Sequence, residues 1–272
     1  DIDSGDVGVK VTLNGPAKAA LAFTLTFKPE DRKAVATATF EQGQMEKTFS
    51  VPLRDVKLWE LDRPYLYEVK ANLSGPNVKD EVSTYFGMRK ISVVNLPGTS
   101  FPYVALNNKP IYLQLTLDQS YNDGGYYTFP SDEFMKNEIL LSKKLGLSGN
   151  RVHIKVEVPR KLYWADKLGL LIMADVPNSW GQPTQEMFRE SECAFRGMVK
   201  RDMNHPSVFC WVLYNETWGL FSSLPGLKPD RRYLPQTQER VAEMYRLAKR
   251  LDPTRLAEDN SACNNDHVIS DL

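Results

Sequence analysis

The 272-residue sequence predicts two folds in succession, an all-β sandwich over residues 1–90 and an α/β unit over residues 105–272. In the first region, apolar side chains recur at every second position, which is the period of a strand with one buried face. In the second region, strand-length apolar runs alternate with stretches of helical period, which implies parallel strands joined by crossover helices. Residues 91–104 lie between the two patterns and are predicted to be a linker.

Short alternating runs divide the first ninety residues. Clear examples lie at residues 7–13, 21–27, 49–53 and 67–73. Clusters of glycine, proline, asparagine and charged residues separate the runs and favour turns. About seven short strands in about ninety residues is the strand number of an immunoglobulin-like β-sandwich.

The second region contains strand-like runs that alternate with helical stretches. Strands are predicted at residues 111–117, 150–156, 170–175, 208–213 and 255–259, and helices at residues 132–145, 159–168 and 236–251. Ser131 is a typical N-cap, Pro159 a typical first residue, and Gly146 and Gly169 typical helix ends. Parallel strands in this number fit either a doubly wound sheet or part of a barrel, and they are too few to close one. No glycine-rich phosphate loop follows any of them, so a nucleotide-binding sheet loses its main support.

The composition argues against several classes of function. Lys and Arg together number 34, as do Asp and Glu, so the net charge is zero. This balance gives no electrostatic reason to expect nucleic acid or an anionic membrane as a partner. No apolar run approaches the ~20 residues that a membrane span needs. Cys193, Cys210 and Cys263 have neither the even number of a disulfide framework nor the spacing of a metal site.

The most informative motif is Asn215-Glu216, which closely follows the buried run at residues 208–213. Barrel enzymes keep their catalytic groups at the C-terminal ends of the barrel strands. A carboxylate at such a strand end is a candidate catalytic group, and the amide before it is a candidate binding group. An isolated Asn-Glu pair could also merely end a strand and begin a loop.

Several stretches resemble glycoside hydrolase family 2, the family of β-galactosidases, β-glucuronidases and β-mannosidases, in the family's order and spacing. They are residues 58–67, 86–90, 107–111, 150–153, 163–171 and 201–216. The resemblance implies an immunoglobulin-like β-sandwich followed by an incomplete (β/α)8 TIM barrel, of which about five strands are present. It also implies that the family's jelly-roll domain and last barrel strands lie outside these residues.

By this resemblance, the parent protein is a retaining exo-β-glycosidase that hydrolyses terminal β-linked sugars. Glu216 is then the acid/base, and Asn215 hydrogen-bonds the sugar 2-hydroxyl as positive charge develops on the ring. The family places its nucleophile on barrel strand seven, which lies beyond Leu272. The 272 residues alone are therefore expected to be inactive.

The resemblance and the aromatic residues near the motif predict a substrate-binding set. It consists of Asn215, Arg151, His153, Asp175, Trp180, Trp218 and Tyr121. Arg151 ends the second barrel strand, where the family has an arginine that helps to hold the catalytic carboxylates, and Asp175 ends the third. His153 lies one position before the place of the galactosidases' sugar-binding histidine. The three aromatic residues are expected to stack on sugar rings, with plain packing as the alternative.

No cofactor and no metal site are expected. The galactosidase pattern ends the loop after strand one in His-Glu, which contributes to a magnesium site, whereas this chain has Asp118-Gln119-Ser120. The resemblance therefore supports neither a magnesium requirement nor galactose specificity. His205, before the fourth strand, is expected to be structural, and Glu258, on the fifth, to be a supporting residue near the site.

Two alternatives stay open. A non-catalytic member of the same family would bind a glycan without cleaving it, and the altered loop after strand one allows this. A metal hydrolase would use His153, Asp175 and Glu216, although no spaced pair of histidines supports it. The sugar, the compartment, and a homo-oligomer formed through other domains of the parent are also left open.

Overall fold

The computed structural model describes residues 1–28, 34–226, 231–261 and 267–272. The chain divides into two units, Asp1–Lys90 and Ile91–Leu272. Cys193 and Cys210 are free thiols, and Cys263 lies outside the described residues. In the part of the chain that is described, no helix has the length and apolarity to cross a membrane.

The first unit is built of antiparallel strands. Those described are β1 (Asp6–Thr12), β2 (Leu21–Lys28), β3 (Ala34–Phe40), β4 (Glu46–Pro52), β5 (Tyr67–Gly75) and β6 (Val78–Phe86). β1 pairs with β4, and a second sheet has the order β3-β2-β5-β6. The strand number is slightly below the predicted value of about seven. Around Pro64 the chain makes only isolated bridges, because proline has no amide hydrogen to donate to a ladder.

One hydrophobic cluster joins the two sheets of the first unit. Every second residue of β2 from Leu21 to Phe27 is at most 5% exposed, so one face of this strand is fully buried. Phe23 packs edge-on against Phe40, with ring centroids 6.2 Å apart, and against Phe49 of the other sheet at 6.1 Å. The period of two in the sequence thus becomes the core of a sandwich.

The second unit begins with a small antiparallel sheet. It consists of β7 (Ile91–Asn95), β8 (Pro102–Leu106) and β9 (Lys109–Pro110). Residues 91–104, predicted as a linker, therefore contain one whole strand and part of another. Pro97 and Gly98, which look like a break between domains, form the turn of this hairpin, and Gly98 has a φ of 76°.

Parallel strands and helices alternate through the rest of the second unit. In chain order these elements are β10 (Leu115–Asp118), α1 (Asp132–Lys144), β11 (Gly149–Val152), α2 (Pro159–Leu168), β12 (Leu171–Asp175), α3 (Gln185–Asp202), β13 (Val208–Val212), β14 (Ser222–Ser223), β15 (Arg231–Arg232), α4 (Pro235–Leu251) and β16 (Leu256–Glu258). The sheet has the order β10-β11-β12-β13-β16, and all of its neighbouring strands are parallel. Every residue of β12 and β13 is buried, which explains their continuous apolar runs.

The observed strands are shorter than the predicted ones. The first parallel strand begins at Leu115 instead of residue 111, and the second ends at Val152 instead of residue 156. Ile154 has a φ of 47°, a left-handed conformation that breaks the extended chain. The apolar pattern continues through this turn, so periodicity alone could not reveal it.

The predicted helix ends are confirmed, and one helix was missed. The Ser131 hydroxyl oxygen accepts the Phe134 amide hydrogen at 3.1 Å at the start of α1, and Gly169 ends α2 with a φ of 76°. The sequence did not predict α3. Its buried face, which includes Phe195 and Met198, is narrow and is interrupted by polar residues.

A polar cluster closes the amino ends of the parallel strands. The Arg255 guanidinium donates to the carbonyls of Val208 at 2.7 Å and His205 at 2.6 Å, and pairs with Asp252 at 2.7 Å. The His205 ring contacts the buried Asp166 carboxylate. These contacts agree with the prediction that His205 is structural, since they lie at the end of the sheet opposite to Asn215-Glu216.

Candidate active site

Polar side chains gather at the carboxyl ends of the parallel strands. Arg151 lies in β11, Asp175 ends β12, Asn215 and Glu216 follow β13, and Ser261 follows β16. We call these five residues the strand-end cluster. Because the strands are parallel and adjacent, their carboxyl ends meet at one edge of the sheet.

Arg151 and Asp175 form a bidentate ion pair in this cluster. The guanidinium Nε and Nη2 donate to Asp175 Oδ1 and Oδ2 at 3.0 and 2.7 Å. Asp175 is fully buried, and its Oδ2 also accepts the Ile154 amide hydrogen at 3.1 Å. Burial raises the pKa of Asp175, against the opposing effect of the arginine. Burial lowers the pKa of Arg151, but Asp175 and two further carboxylates outweigh burial and raise it.

The side-chain oxygen of Asn215 accepts hydrogen bonds from three donors. They are Arg151 Nη2 at 2.8 Å, His153 Nε2 at 3.0 Å and the Ser261 hydroxyl at 3.2 Å. On its other side, the His153 ring contacts Gln119, with His153 Nδ1 3.3 Å from Gln119 Nε2. Among the described residues no acceptor takes a hydrogen bond from the Asn215 NH2 group, so this donor is available to a ligand.

Ser261 links the members of the cluster and was not predicted from the sequence. Its hydroxyl accepts from Arg151 Nη2 at 2.8 Å and from the Glu216 amide at 3.0 Å, and donates to Asn215. The sequence does contain one indication of this role, because Ser261 closely follows the predicted fifth strand and the ends of parallel strands in one sheet lie close together.

Glu216 occupies a left-handed turn with a φ of 54°. Asn178 Nδ2 fixes this turn by donating to the carbonyls of Asn215 and Trp218, both at 3.0 Å. The indole nitrogen of Trp218 donates to Glu216 Oε2. The backbone and the carboxyl group of Glu216 are therefore both held in place by neighbouring residues.

The aromatic residues predicted to bind sugar form two separate surfaces. The rings of Trp180 and Trp218 lie 5.0 Å apart at 42°, and Trp180 is 67% exposed. Tyr121 instead packs against Tyr127, with ring centroids 4.8 Å apart, in the loop after β10. Only the first surface contacts Glu216, through Trp218.

Glu258 lies on β16 beside Arg151. Burial raises its pKa to about 7, and Arg151 opposes that rise. Its Oε2 is buried and has no hydrogen-bond partner among the described residues. Its charge interacts with that of Arg151, and its role as a supporting residue stays a prediction.

The structure brings most of the predicted site residues into one hydrogen-bonded group. The group contains Arg151, His153, Asp175, Asn215 and Glu216, with Trp218 attached through Glu216 and Trp180 through Trp218. Tyr121 lies outside it, and the roles of all these residues stay predictions. Within the described residues, no three His, Cys, Asp or Glu side chains are arranged to hold a metal ion, so the metal-hydrolase hypothesis gains no support.

Family models match both units of the chain. Residues 1–89 match the model described as glycosyl hydrolases family 2, and residues 102–271 match the TIM barrel domain of the same family. The chain belongs to glycosyl hydrolase family 2. The parallel sheet is thus part of a TIM barrel, which confirms the family and the fold class predicted from the sequence.

Two curated relatives are glycosidases. A β-galactosidase of Thermoanaerobacterium thermosulfurigenes is 29% identical over 222 residues, which cover 81% of this chain. A β-glucuronidase of Streptococcus agalactiae is 28% identical over 187 residues, which cover 60% of this chain. The chain spans 28% and 29% of the length of these two relatives.

Two solved β-glucuronidase structures share the fold of this chain. A β-glucuronidase of Parabacteroides merdae has a TM-score of 0.76 at 21% identity, covering 93% of this chain and 32% of its own. A β-glucuronidase of Bacteroides uniformis has a TM-score of 0.74 at 23% identity, with coverages of 93% and 31%. At these identities the likeness concerns the fold alone.

Proposed function

We propose that these residues form the acid/base half of a retaining exo-β-glycosidase that removes terminal β-linked sugars. The relatives support the reaction class, since they are named β-galactosidase and β-glucuronidase. The strand-end cluster supports the site, since it lies where barrel enzymes bind their substrates. The observation that carries the proposal is the Asn215 amide, which precedes Glu216 in the chain. Its oxygen is occupied by three donors, while its NH2 group has no acceptor among the described residues.

In the proposed reaction, protonated Glu216 gives its proton to the glycosidic oxygen while the bond from that oxygen to the anomeric carbon breaks. A second carboxylate attacks the anomeric carbon and forms a covalent glycosyl-enzyme. Glu216, now ionised, takes a proton from a water molecule that attacks the same carbon and releases the sugar. The product keeps the β configuration because the carbon is inverted twice.

We assign the second carboxylate to a part of the barrel outside these 272 residues. In retaining enzymes the two carboxyl groups lie about 5–5.5 Å apart across the scissile bond. Glu258 is not assigned to this role, because the resemblance places the nucleophile on barrel strand seven, whereas Glu258 lies on β16, the fifth strand. The 272 residues alone are therefore expected not to turn over a substrate.

Asn215 is assigned to the 2-hydroxyl of the terminal sugar. Its NH2 group donates to the hydroxyl oxygen, a contact that strengthens as the ring gains oxocarbenium character. Arg151 and His153 hold the amide oxygen and so prevent the amide from flipping. Trp180 and Trp218 are assigned to a wall of the sugar site, where an aromatic face can cover the apolar face of a pyranose ring.

Turnover of nitrophenyl β-glycosides by the full-length protein tests this proposal. Cleavage of one sugar of the panel is expected from the wild type. For the phenyl β-glycoside of that sugar, whose leaving oxygen needs a proton, Glu216→Gln is expected to lose about 10²–10⁴-fold, the contribution of a general acid. Glu186→Gln is the matched control, because the Glu186 side chain on α3 is 80% exposed. Turnover by the isolated 272 residues that is lost in Glu216→Gln would contradict the assignment of the second carboxylate.

A second candidate is a glycan-binding protein without hydrolytic activity. The exposed rings of Trp180 and Tyr121 favour it, since aromatic surfaces bind sugars whether or not a bond is broken. A folded full-length protein that binds β-linked sugars and cleaves none of the panel would support this candidate.

A further inference from the structure

The loop after β10 presents three tyrosine side chains to solvent. Tyr121, Tyr126 and Tyr127 are 47%, 74% and 61% exposed. We call these three residues the tyrosine platform. Clustered exposed aromatic side chains mark a binding surface, and a phenol offers both a ring face and a hydroxyl group to a ligand.

The backbone of this loop is held by its own hydrogen bonds. Asn122 and Tyr126 exchange two backbone hydrogen bonds, at 3.2 and 2.9 Å. The side-chain NH2 group of Asn122 also donates to the Thr128 carbonyl at 2.8 Å. A Cβ atom on Gly125 would lie 2.2 Å from that carbonyl oxygen, so the loop needs glycine there. The platform is therefore ordered before any ligand arrives, which lowers the entropic cost of binding.

Tyr126 has a φ of 53°, which is rare for a bulky residue. Glycine or asparagine would fit this left-handed turn with less strain. The turn itself therefore does not explain why a tyrosine stands here. Strained backbone at such a residue is typical of a functional surface, where the side chain matters more than the local conformation.

A buried lysine occupies the inner side of the platform. The Lys155 ammonium lies 5.4, 5.7 and 5.2 Å from the ring centroids of Tyr121, Tyr127 and Phe129. It also donates to the Ser120 carbonyl, and Lys155 is only 7% exposed. The lysine and these rings attract each other through cation–π contacts, which hold Tyr121 and Tyr127 in place.

Two residues beside the platform, Gln119 and Lys155, connect it to the strand-end cluster. Gln119, just before the loop, contacts His153, which contacts Asn215. Lys155 directly follows Ile154, whose amide binds Asp175. The platform therefore lies next to the cluster and outside its hydrogen-bonded core.

We propose that Tyr126, together with Tyr121 and Tyr127, stacks on the sugar residue on the leaving-group side of the scissile bond. This inference rests on the proposed glycosidase function. The terminal sugar of the substrate would occupy the strand-end cluster, and the remainder of the substrate extends from the strand ends towards the loops. A pyranose suits this surface, because its C–H face packs on a ring while its hydroxyl groups meet the phenols.

The test compares two substrates of the full-length protein that share one terminal sugar, a β-linked disaccharide and the β-glycosyl fluoride. The fluoride has no leaving-group sugar that could reach the platform. Tyr126→Asn removes the ring and keeps a residue that tolerates the left-handed turn. Tyr126→Phe keeps the ring. Tyr112→Asn is the control, since Tyr112 is 71% exposed and precedes β10 instead of following it.

We expect Tyr126→Asn to lower kcat/KM for the disaccharide about tenfold, the usual size of a lost aromatic contact. The value for the fluoride should not change, and Tyr126→Phe should retain most of the disaccharide activity. If Tyr126→Asn lowers kcat/KM equally for both substrates, or for neither, the platform does not bind the leaving-group sugar. If Tyr126→Phe lowers kcat/KM for the disaccharide as much as Tyr126→Asn does, ring stacking is not the basis of the contact.

If the wild-type protein cleaves neither substrate, the proposed function fails and the platform is tested by binding alone. Calorimetric titration with the disaccharide then compares the wild type with Tyr126→Asn. A Kd about tenfold higher for the variant would support the platform. Equal Kd values, or no binding by the wild type, would overturn it.

Discussion

The pair Asn215-Glu216 is held by side chains from several strands of the sheet. Arg151 and Ser261 fix the amide oxygen, and Trp218 fixes the carboxyl group. A general acid and a sugar-binding amide are effective only when each points at the atom it serves. Hydrogen bonds that exist before the substrate binds therefore favour the proposed roles.

Glu258 is expected to control stability near neutral pH. Burial raises its pKa from 4.5 to about 7, so between these pH values the folded chain binds more protons than the unfolded chain. The contribution of Glu258 to the free energy of unfolding is thus fully present below pH 4.5. It is lost as the pH rises from 4.5 through about 7. We expect Glu258→Gln to remove this loss and to stabilise the 272-residue chain at pH 8 by about 2–3 kcal/mol.

Urea unfolding of the wild type and Glu258→Gln at pH 5 and pH 8 measures this effect. Glu186→Gln, on the exposed side of α3, is the control and should keep the wild-type pH dependence. If the free energy of unfolding of Glu258→Gln falls between the two pH values as much as that of the wild type, the assignment to Glu258 is wrong.

Among individual residues, the sequence predicted those of the motif but not all of their hydrogen-bond partners. Asn215 and Glu216 stand in a recognisable motif after a buried strand, and Arg151 ends another strand. Ser261 stands in no motif, and its role depends on a hydroxyl group that residues from two other strand ends, those of β11 and β13, contact. The left-handed φ of Tyr126 was equally hidden, because tyrosine has no preference for such turns.

At the scale of elements, Lys161 of α2 joins parts of the second unit that are distant in sequence. It is 1% exposed, and its ammonium lies 2.8 Å from Asp118 at the end of β10 and 2.9 Å from Glu138 of α1. Glu157, itself buried, lies 3.5 Å away. Lys161 thus pairs with carboxylates from three segments around the base of the loop after β10, and the buried Lys155 adds a second positive charge near them.

Loss of this cation is expected to destabilise the chain strongly. Lys161→Met would leave the buried Glu157 carboxylate and the partly exposed Asp118 and Glu138 with Lys155 as their remaining neighbouring cation. Loss of the closer buried cation costs about 3 kcal/mol of unfolding free energy. Lys167→Met, an exposed position on the same helix, should change stability by no more than about 0.5 kcal/mol. Urea denaturation of both variants provides the comparison, and equal midpoints for Lys161→Met and the wild type would refute the role of the cation.

Elements were predictable where the local pattern and the tertiary structure agree. The strands of the first unit follow from strict alternation, and α1 and α2 from their caps. The helix α3 was missed because polar residues interrupt its narrow buried face. The end of β11 was missed because a tertiary contact, from the Ile154 amide to Asp175, favours a turn that the apolar sequence does not indicate.

At the scale of the whole molecule, the parallel sheet contains only part of the strands of a TIM barrel. β10 and β16 form its two edges within the described residues. A closed barrel of this family has eight strands. Under the proposed function, the second carboxylate belongs to one of the barrel strands that these residues do not include.

The central claim is that Glu216 is the acid/base, and the dependence of rate on the leaving group tests it most directly. The measurement is kcat/KM of the full-length wild type and Glu216→Gln for phenyl and dinitrophenyl β-glycosides of the same sugar. We expect the variant to lose about 10²–10⁴-fold for the phenyl glycoside, whose leaving oxygen needs a proton. The variant should lose little for the dinitrophenyl glycoside, because dinitrophenolate leaves without being protonated. An equal loss for both substrates, or no loss for either, would contradict the claim.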